Sequence, residues 1–308
     1  MRGRRVVVEA PASSANLGCG FDIFALALAA PSDRLTLERT ESGISLQVKG
    51  TGELQKHPEA NVVAAVASVM MGEHRLKGGV SMKLVKGVPV GLGLGSSAAS
   101  SVAVAVGMNR LFRMGLSEKE LVSYAGVGEK AASGTAHYDN VAASFAGGFV
   151  VVRWDQSFVR MEPPKSMALC LVTPSVRLPK EKTKYARSLL PKEVNLERAV
   201  AVARAASMMV HGFATGNLAE IGDAMAVSIV DDKRASMVPG FERVRRAALA
   251  EGAVGACISG AGPTMLAVCE RRVSGDVLRA MVKGFKARGV RSSGFVTRAG
   301  EGCKILER

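Results

Sequence analysis

Apolar and polar positions alternate in short runs near the start of the chain. Arg5 to Glu9, Arg34 to Glu38 and Ile44 to Val48 are rich in branched residues with period two, which predicts strands. Val62 to Met71 is Ala- and Val-rich over helix length, and Val80 to Val85 returns to strand alternation just before a glycine-rich stretch. Helical patterns follow at Ser97 to Phe112 and Ser117 to Lys130. The second opens with Ser117 and Glu120 three residues on, a capping box that marks a helix start. Ala136 to Phe145 predicts a further helix, and Phe149 to Trp154 a strand behind Gly147-Gly148.

Asp155 to Lys165 is polar and carries Pro163-Pro164, so it is the expected junction between domains at 1–160 and 161–308. Beyond it the order changes. Ala168 to Thr173, Val254 to Ser259, Met265 to Cys269 and Gly294 to Thr297 read as strands; Glu197 to Gly212, Leu218 to Val227, Phe241 to Ala250 and Val277 to Ala287 read as helices. Together they approximate a β-α-β-β-α-β order with extra helices inserted.

Composition narrows the class. A chain of 308 residues, 48% hydrophobic and 22% charged, suits two globular domains and excludes disorder and fibrous repeats. Lys and Arg number 41 against 27 Asp and Glu, so the formal charge of +14 favours anionic partners without choosing among them. From Arg271 to Arg308 ten basic residues face three acidic ones, half of that excess. Only Phe285 and Phe295 could stack a base there, so nucleic acid is the weaker reading and a solvated basic face the plainer one. Five cysteines without C-x-x-C spacing indicate neither a disulfide framework nor a zinc site. Gly87 to Asn109 runs 23 residues without a charge, but its Gly, Pro and Ser content argues against a membrane span. Val6 to Val8 is too short for a signal-peptide core, so a cytoplasmic protein without a membrane partner is expected.

Three segments carry chemistry. Pro89-Val90-Gly91-Leu92-Gly93-Leu94-Gly95-Ser96-Ser97-Ala98-Ala99-Ser100 runs straight into an Ala/Val helix. Glycines let a backbone approach a polyphosphate, and the following helix offers free N–H groups and its positive end to the anion. The spacing matches neither G-x-G-x-x-G nor the Walker A loop. The others are Pro11-Ala12-Ser13-Ser14-Ala15-Asn16-Leu17-Gly18-Cys19-Gly20-Phe21-Asp22 and Gly252 to Thr264, whose Gly260, Gly262 and Pro263 predict a tight turn between two strands.

In this order the trio resembles the three signature motifs of the GHMP kinases, small-molecule kinases of galactose, homoserine, mevalonate and phosphomevalonate, over Pro11 to at least Thr264. The branch acting on L-homoserine is the most similar. Asn16 to Asp22 resembles its N-L-G-x-G-F-D, and Glu129 to Asn140, with Gly134, His137, Asp139 and Asn140, resembles E-x-x-x-x-G-x-x-H-x-D-N. Thr183 to Pro191 resembles T-x-x-A-R-x-x-L-P, and Asp231 to Phe241, with Arg234 and Pro239-Gly240-Phe241, resembles a segment of that branch ending R-x-x-x-x-P-G-F.

The resemblance implies an α+β, two-domain GHMP kinase fold, with a ribosomal protein S5 domain 2-like N-terminal domain that binds ATP and a ferredoxin-like C-terminal domain. It implies ATP-dependent phosphorylation of the L-homoserine side-chain hydroxyl on the route to threonine, and it leaves a homodimer open. Arg187 and Arg234 would take the substrate carboxylate and Asp22, beside Asn16, its ammonium, with Thr183 and His137 as further contacts. Pro89 to Ala99 would bind ATP, with Asn61 and Lys86 lining the nucleoside pocket; Ser97 and Glu129 would ligate Mg²⁺. At Asn140 other branches hold a carboxylate base, whereas an amide takes up no proton at neutral pH. Asn140 is therefore expected to orient the hydroxyl, and Asp139, about 100° round a helix from it, need not share the site. Leu92 stands where relatives often carry Ser or Arg, one polar contact to phosphate fewer. A mevalonate- or sugar-type kinase is the alternative, with a nucleic-acid-binding protein behind it.

Overall fold

In the computed structural model, residues 5–50, 62–177, 179 and 182–307 are described. Along the chain run β1 (Arg5–Asn16), β2 (Gly20–Thr40), β3 (Ile44–Gly50), α1 (Val62–Glu73), β4 (Gly79–Lys86), α2 (Ser96–Phe112), α3 (Glu118–Ser133), α4 (Tyr138–Ala146), β5 (Phe149–Val152) and β6 (Phe158–Met161). Then come β7 (Met167–Pro174), α5 (Lys182–Ser188), α6 (Leu196–Thr215), α7 (Leu218–Met225), α8 (Ile229–Arg234), α9 (Phe241–Ala250), β8 (Ala253–Ile258), β9 (Met265–Glu270), α10 (Ser274–Lys286), β10 (Ser292–Thr297) and β11 (Lys304–Glu307).

Local chemistry explains the helix starts. Ser117 caps α3 by accepting the Glu120 N–H, while the Glu120 carboxylate accepts the Ser117 N–H at 2.8 Å. Asn195 caps α6 through the Arg198 N–H at 2.9 Å, and Gly216 ends it in the left-handed conformation at φ 76°.

The first sheet runs β11-β1-β2-β4-β3, with β5 added on β2 and β6 on β5. Neighbours are antiparallel except β3 and β4, which lie parallel with α1 between them in sequence. The helices α1 to α4 cover one face, where Val102, Val66 and Val122 meet Leu35, Leu37 and Met82 in one core. The second sheet is wholly antiparallel in the order β10-β7-β9-β8. β7, one of its two central strands, is buried on both faces with period two. Leu169 and Leu171 join Met209, Phe213 and the first domain, whereas Ala168, Cys170 and Val172 meet Val244, Met281 and Phe285 of α9 and α10.

Phe213 of α6 lies flat on Phe149 of β5, ring centroids 3.9 Å apart at 5°, and Phe149 meets Phe24 at 5.2 Å. Burying an aromatic ring contributes about 1.5–3 kcal/mol, so this stack ties the two sheets into one body.

The α+β architecture and the β-α-β-β-α-β order are as the sequence predicts. Four elements were not predicted: α5 and α8, too short to show a period, and the four-residue strands β6 and β11. β2 also runs 21 residues, through Pro31, far beyond the expected Arg34 to Glu38. The basic C-terminal stretch is folded, as α10, β10 and β11, and Arg272, Arg279 and Lys304 pair with Glu270, Asp276 and Glu301.

Candidate active site

The glycine-rich stretch folds as a loop onto the N-terminus of α2. Gly95 is the N-cap in a left-handed conformation, and no side chain caps the helix, so its first N–H groups face the cavity in front of them. Two anchors fix the loop. Beneath it, Lys86 and Asp33 form a buried ion pair; Asp33 also accepts the Gly87 and Val88 N–H groups at 3.1 and 3.0 Å and the Ser100 hydroxyl at 2.7 Å. Burial lowers the pKa of Lys86, and Asp33 opposes that shift. Above it, Gly93 lies against the Ser259–Thr264 turn. The Ser259 hydroxyl donates to the Gly93 carbonyl at 2.7 Å, and a Cβ on Gly93 would stand 2.3 Å from the Ser259 carbonyl. The turn closes through Gly262 N–H to the Ser259 carbonyl at 2.8 Å, as its glycines predict.

At the other end of a cavity of about 850 Å³ stand the charged groups. The Asn16 side-chain amide donates to the Gly260 carbonyl at 3.0 Å, and its oxygen accepts the Asp22 N–H at 3.3 Å. Asp22 faces Arg187 at 2.6 Å, and Arg187 also reaches His137 Nδ1 at 2.9 Å. Burial works against the Asp22 carboxylate, but hydrogen bonds from His137 and Arg187 hold its pKa below the ordinary value. His137 Nε2 is buried without a partner among the described residues. Arg234, 3% exposed, donates to the carbonyls of Ala186 and Gly260, and with Arg187 it borders the Phe21 ring. Thr183 lines the same wall.

Between the two ends lie Ser97, Glu129, Asp139 and Asn140. Glu129 is buried with Oε1 unpartnered among the described residues; burial raises its pKa to about 7, against a hydrogen bond from Ser97. This hydroxyl and orphaned carboxylate oxygen are hard donors beside a helix N-terminus, and they fit a magnesium ion. The Asn140 amide oxygen accepts the Ser13 hydroxyl at 2.8 Å, and its backbone N–H donates to Asp139 Oδ1 at 2.6 Å. Asp139 does share the site: it is buried in the cavity wall, and burial followed by the Asp22 charge raises its pKa to about 6. Helix α4 begins at Tyr138, so both residues occupy its first turn, where the helix end itself faces the cavity.

The structure thus gathers Asn16, Asp22, Ser97, Glu129, His137, Asn140, Thr183, Arg187 and Arg234 around one cavity with the glycine loop. Lys86 lines it too, yet its ammonium is held by Asp33, the Ser96 carbonyl and Ser100, which makes it a support for the loop. Asn61 lies outside the described residues. Sequence reasoning passed over Ser13, Asp33 and Lys182, whose partners are 127, 53 and 80 positions away. Only for Ser13, inside a signature motif, was there a signal.

Comparison with known proteins identifies the family. The GHMP kinases N terminal domain matches residues 61–148 and the GHMP kinases C terminal domain residues 209–287. A homoserine kinase of Natronomonas pharaonis is 39% identical over 303 residues, 98% of this chain and all of that one. A homoserine kinase of Methanocella arvoryzae is 38% identical over 305 residues, 98% of each. The crystal structure of homoserine kinase from Cytophaga hutchinsonii superposes with a TM-score of 0.91 at 34% identity, covering 99% of this chain and 98% of that one. An L. major mevalonate kinase shares the fold, with a TM-score of 0.68 at 17% identity over 98% of each chain.

Proposed function

The chain belongs to the GHMP kinases and among them to the homoserine kinases, and from that premise we propose how its cavity transfers the γ-phosphoryl group of ATP to the side-chain hydroxyl of L-homoserine. The activity is an ATP-dependent phosphorylation that yields O-phospho-L-homoserine on the route to threonine. The observation that carries the assignment of roles is one cavity with an uncapped helix N-terminus at one end and the Asp22, Arg187 and Arg234 set at the other.

Homoserine is a zwitterion. Asp22, oriented by Asn16, takes the ammonium, and Arg187 and Arg234 take the carboxylate with planar, bidentate geometry. His137 Nε2 and the Thr183 hydroxyl supply polar contacts along the same wall. The α2 N-terminus and the N–H groups of Gly91 to Ser97 hold the triphosphate. Ser97 and Glu129 would hold Mg²⁺, which when bound would supply positive charge to offset that of the transferred phosphoryl group.

Asn140 orients the hydroxyl. Its amide is fixed by Ser13 on one side and Asp139 on the other, so its rotation is locked before substrate arrives. In-line positioning and oriented dipoles then carry the transfer through a loose transition state, and no strong base is required. The cytoplasm, where ATP is abundant, is the compartment that suits this reaction.

Turnover of ATP against homoserine, mevalonate, shikimate and galactose tests the reading. Homoserine is expected to give the highest kcat/KM by at least about tenfold; equal or better turnover of mevalonate or a sugar would overturn it.

A further inference from the structure

Three of the cations lining the cavity have a carboxylate close by. Lys86 has Asp33, Arg187 has Asp22, and Arg234 stands near Asp231. Lys182 differs. It opens α5, is partly buried and lines the cavity, and its ammonium donates to the Gly262 carbonyl; among the described residues no carboxylate pairs with it. Burial, with the nearby Arg234 charge, lowers its pKa to about 7, so the fold holds this ammonium at a cost. An ammonium placed so has its counter-charge supplied by whatever fills the cavity.

Its position selects the anion. Gly262 belongs to the turn that presses on the phosphate loop: a Cβ on Gly93 would stand 2.9 Å from both the Gly262 N and O. Lys182 therefore lies one backbone carbonyl away from the loop, with two of its three N–H bonds still available. The loop supplies no cation of its own there. Leu92 and Leu94 flank Gly93, and Lys86 is committed beneath the loop. The substrate carboxylate is already matched by two guanidinium groups, whose forked geometry suits it better than a point charge does.

Resting on the homoserine-kinase reading of this cavity, we propose that Lys182 reaches from the C-terminal domain to the γ-phosphoryl oxygens of ATP. It closes the phosphate site from the side opposite α2. The lysine is thus a catalytic residue, supplied by a helix that sequence patterning did not predict.

Calorimetry with Mg²⁺ and either ADP or the β,γ-methylene analogue of ATP separates the possibilities in wild type, Lys182→Met, Lys182→Gln and Lys182→Arg. Loss of the amine is expected to weaken the analogue at least tenfold while ADP changes less than twofold, with Lys182→Arg recovering most of the difference. In turnover, kcat should fall at least thirtyfold with the homoserine KM unchanged. Equal weakening of both nucleotides, unchanged binding of both, or a rise in the homoserine KM alone would overturn the proposal, the last assigning Lys182 to the amino acid. The binding arms contain no homoserine, so they stand or fall separately from the substrate panel.

Discussion

Arg187 Nη2 stands 2.6 Å from Asp22 Oδ2 across 165 positions of sequence, so the groups proposed for the two ends of the substrate zwitterion face one another. Replacing the fork by a point charge, Arg187→Lys, should raise the homoserine KM roughly 10- to 100-fold and leave the ATP KM unchanged, as losing one bidentate contact implies. Asp22→Asn should do likewise. In a double-mutant cycle the combined loss should be smaller than the sum of the two, because Arg187→Lys weakens and Asp22→Asn removes the same ion pair, so the second change has less left to lose. Full additivity would mean the two act independently.

Asn140 and Asp139 can be told apart. Asn140→Ala should lower kcat by a factor on the order of 10 to 1,000, the loss of one positioning hydrogen bond. Asp139→Asn keeps size and removes the nearest carboxylate; if no base is needed, kcat should stay within about tenfold. A base at Asp139 would act only when ionised, so with its pKa near 6 wild-type kcat would fall as pH drops through 6, and Asp139→Asn would abolish turnover. The pH profiles of kcat for the two variants decide between these outcomes.

As a proposed magnesium ligand, Glu129 would couple the ion to stability. Its pKa of about 7 in the folded chain lies above the ordinary carboxyl value of 4.5, so the native state holds the extra proton between those pH values. Stability therefore declines as pH rises through that window, and above 7 the fold carries the buried charge in full. Glu129→Gln should raise the Tm of the metal-free protein at pH 8, with the gain vanishing near pH 4.5, while raising the Mg²⁺ requirement for turnover at least about tenfold. Ser97→Ala should share the second effect. Thermal melts at the two pH values and a magnesium titration measure both.

The Lys86–Asp33 pair is asymmetric. Asp33 keeps three other donors, the Gly87 and Val88 N–H groups and the Ser100 hydroxyl, whereas Lys86 without Asp33 would be a buried cation held only by a carbonyl and a hydroxyl. Asp33→Asn should cost about 3–5 kcal/mol of stability, the usual loss for breaking a buried pair, and Lys86→Met clearly less. Urea unfolding of the two variants ranks them; the reverse order would refute the argument.

What the sequence discloses and what it hides follow from range. The capping box at Ser117 and Glu120 is complete within four residues and predicts α3 correctly. Most of β2 was missed because Ala25 to Leu28 are all buried and show no alternation, and because Pro31 interrupts the pattern. The glycine loop and the turn at Gly260 to Pro263 are legible one at a time; their contact, Ser259 on Gly93, spans 166 positions and has no local signature. Asp33 stands just ahead of the predicted strand Arg34 to Glu38 with nothing local to mark it, and only the fold brings it beneath the loop. Asp139 was set aside by counting degrees around a helix. That geometry holds for a helix interior, whereas here the cavity lies at the helix end and both residues of the first turn reach it.

The edge of the first sheet has a consequence for synthesis. β11 pairs with β1 in the register Val8↔Ile305, Leu28 and Gly147 bridge to Ala299 and Glu301, and the Cys303 N–H donates to the Phe145 carbonyl at 3.0 Å. While a nascent chain is still joined to the ribosome with these residues inside the exit tunnel, β1 presents an unpaired row of backbone groups to its surroundings. The first sheet thus stays open along this border until residues 299 to 307 have been made, and a nascent fragment stopped short of residue 299 would carry the glycine loop together with an open, adhesive strand.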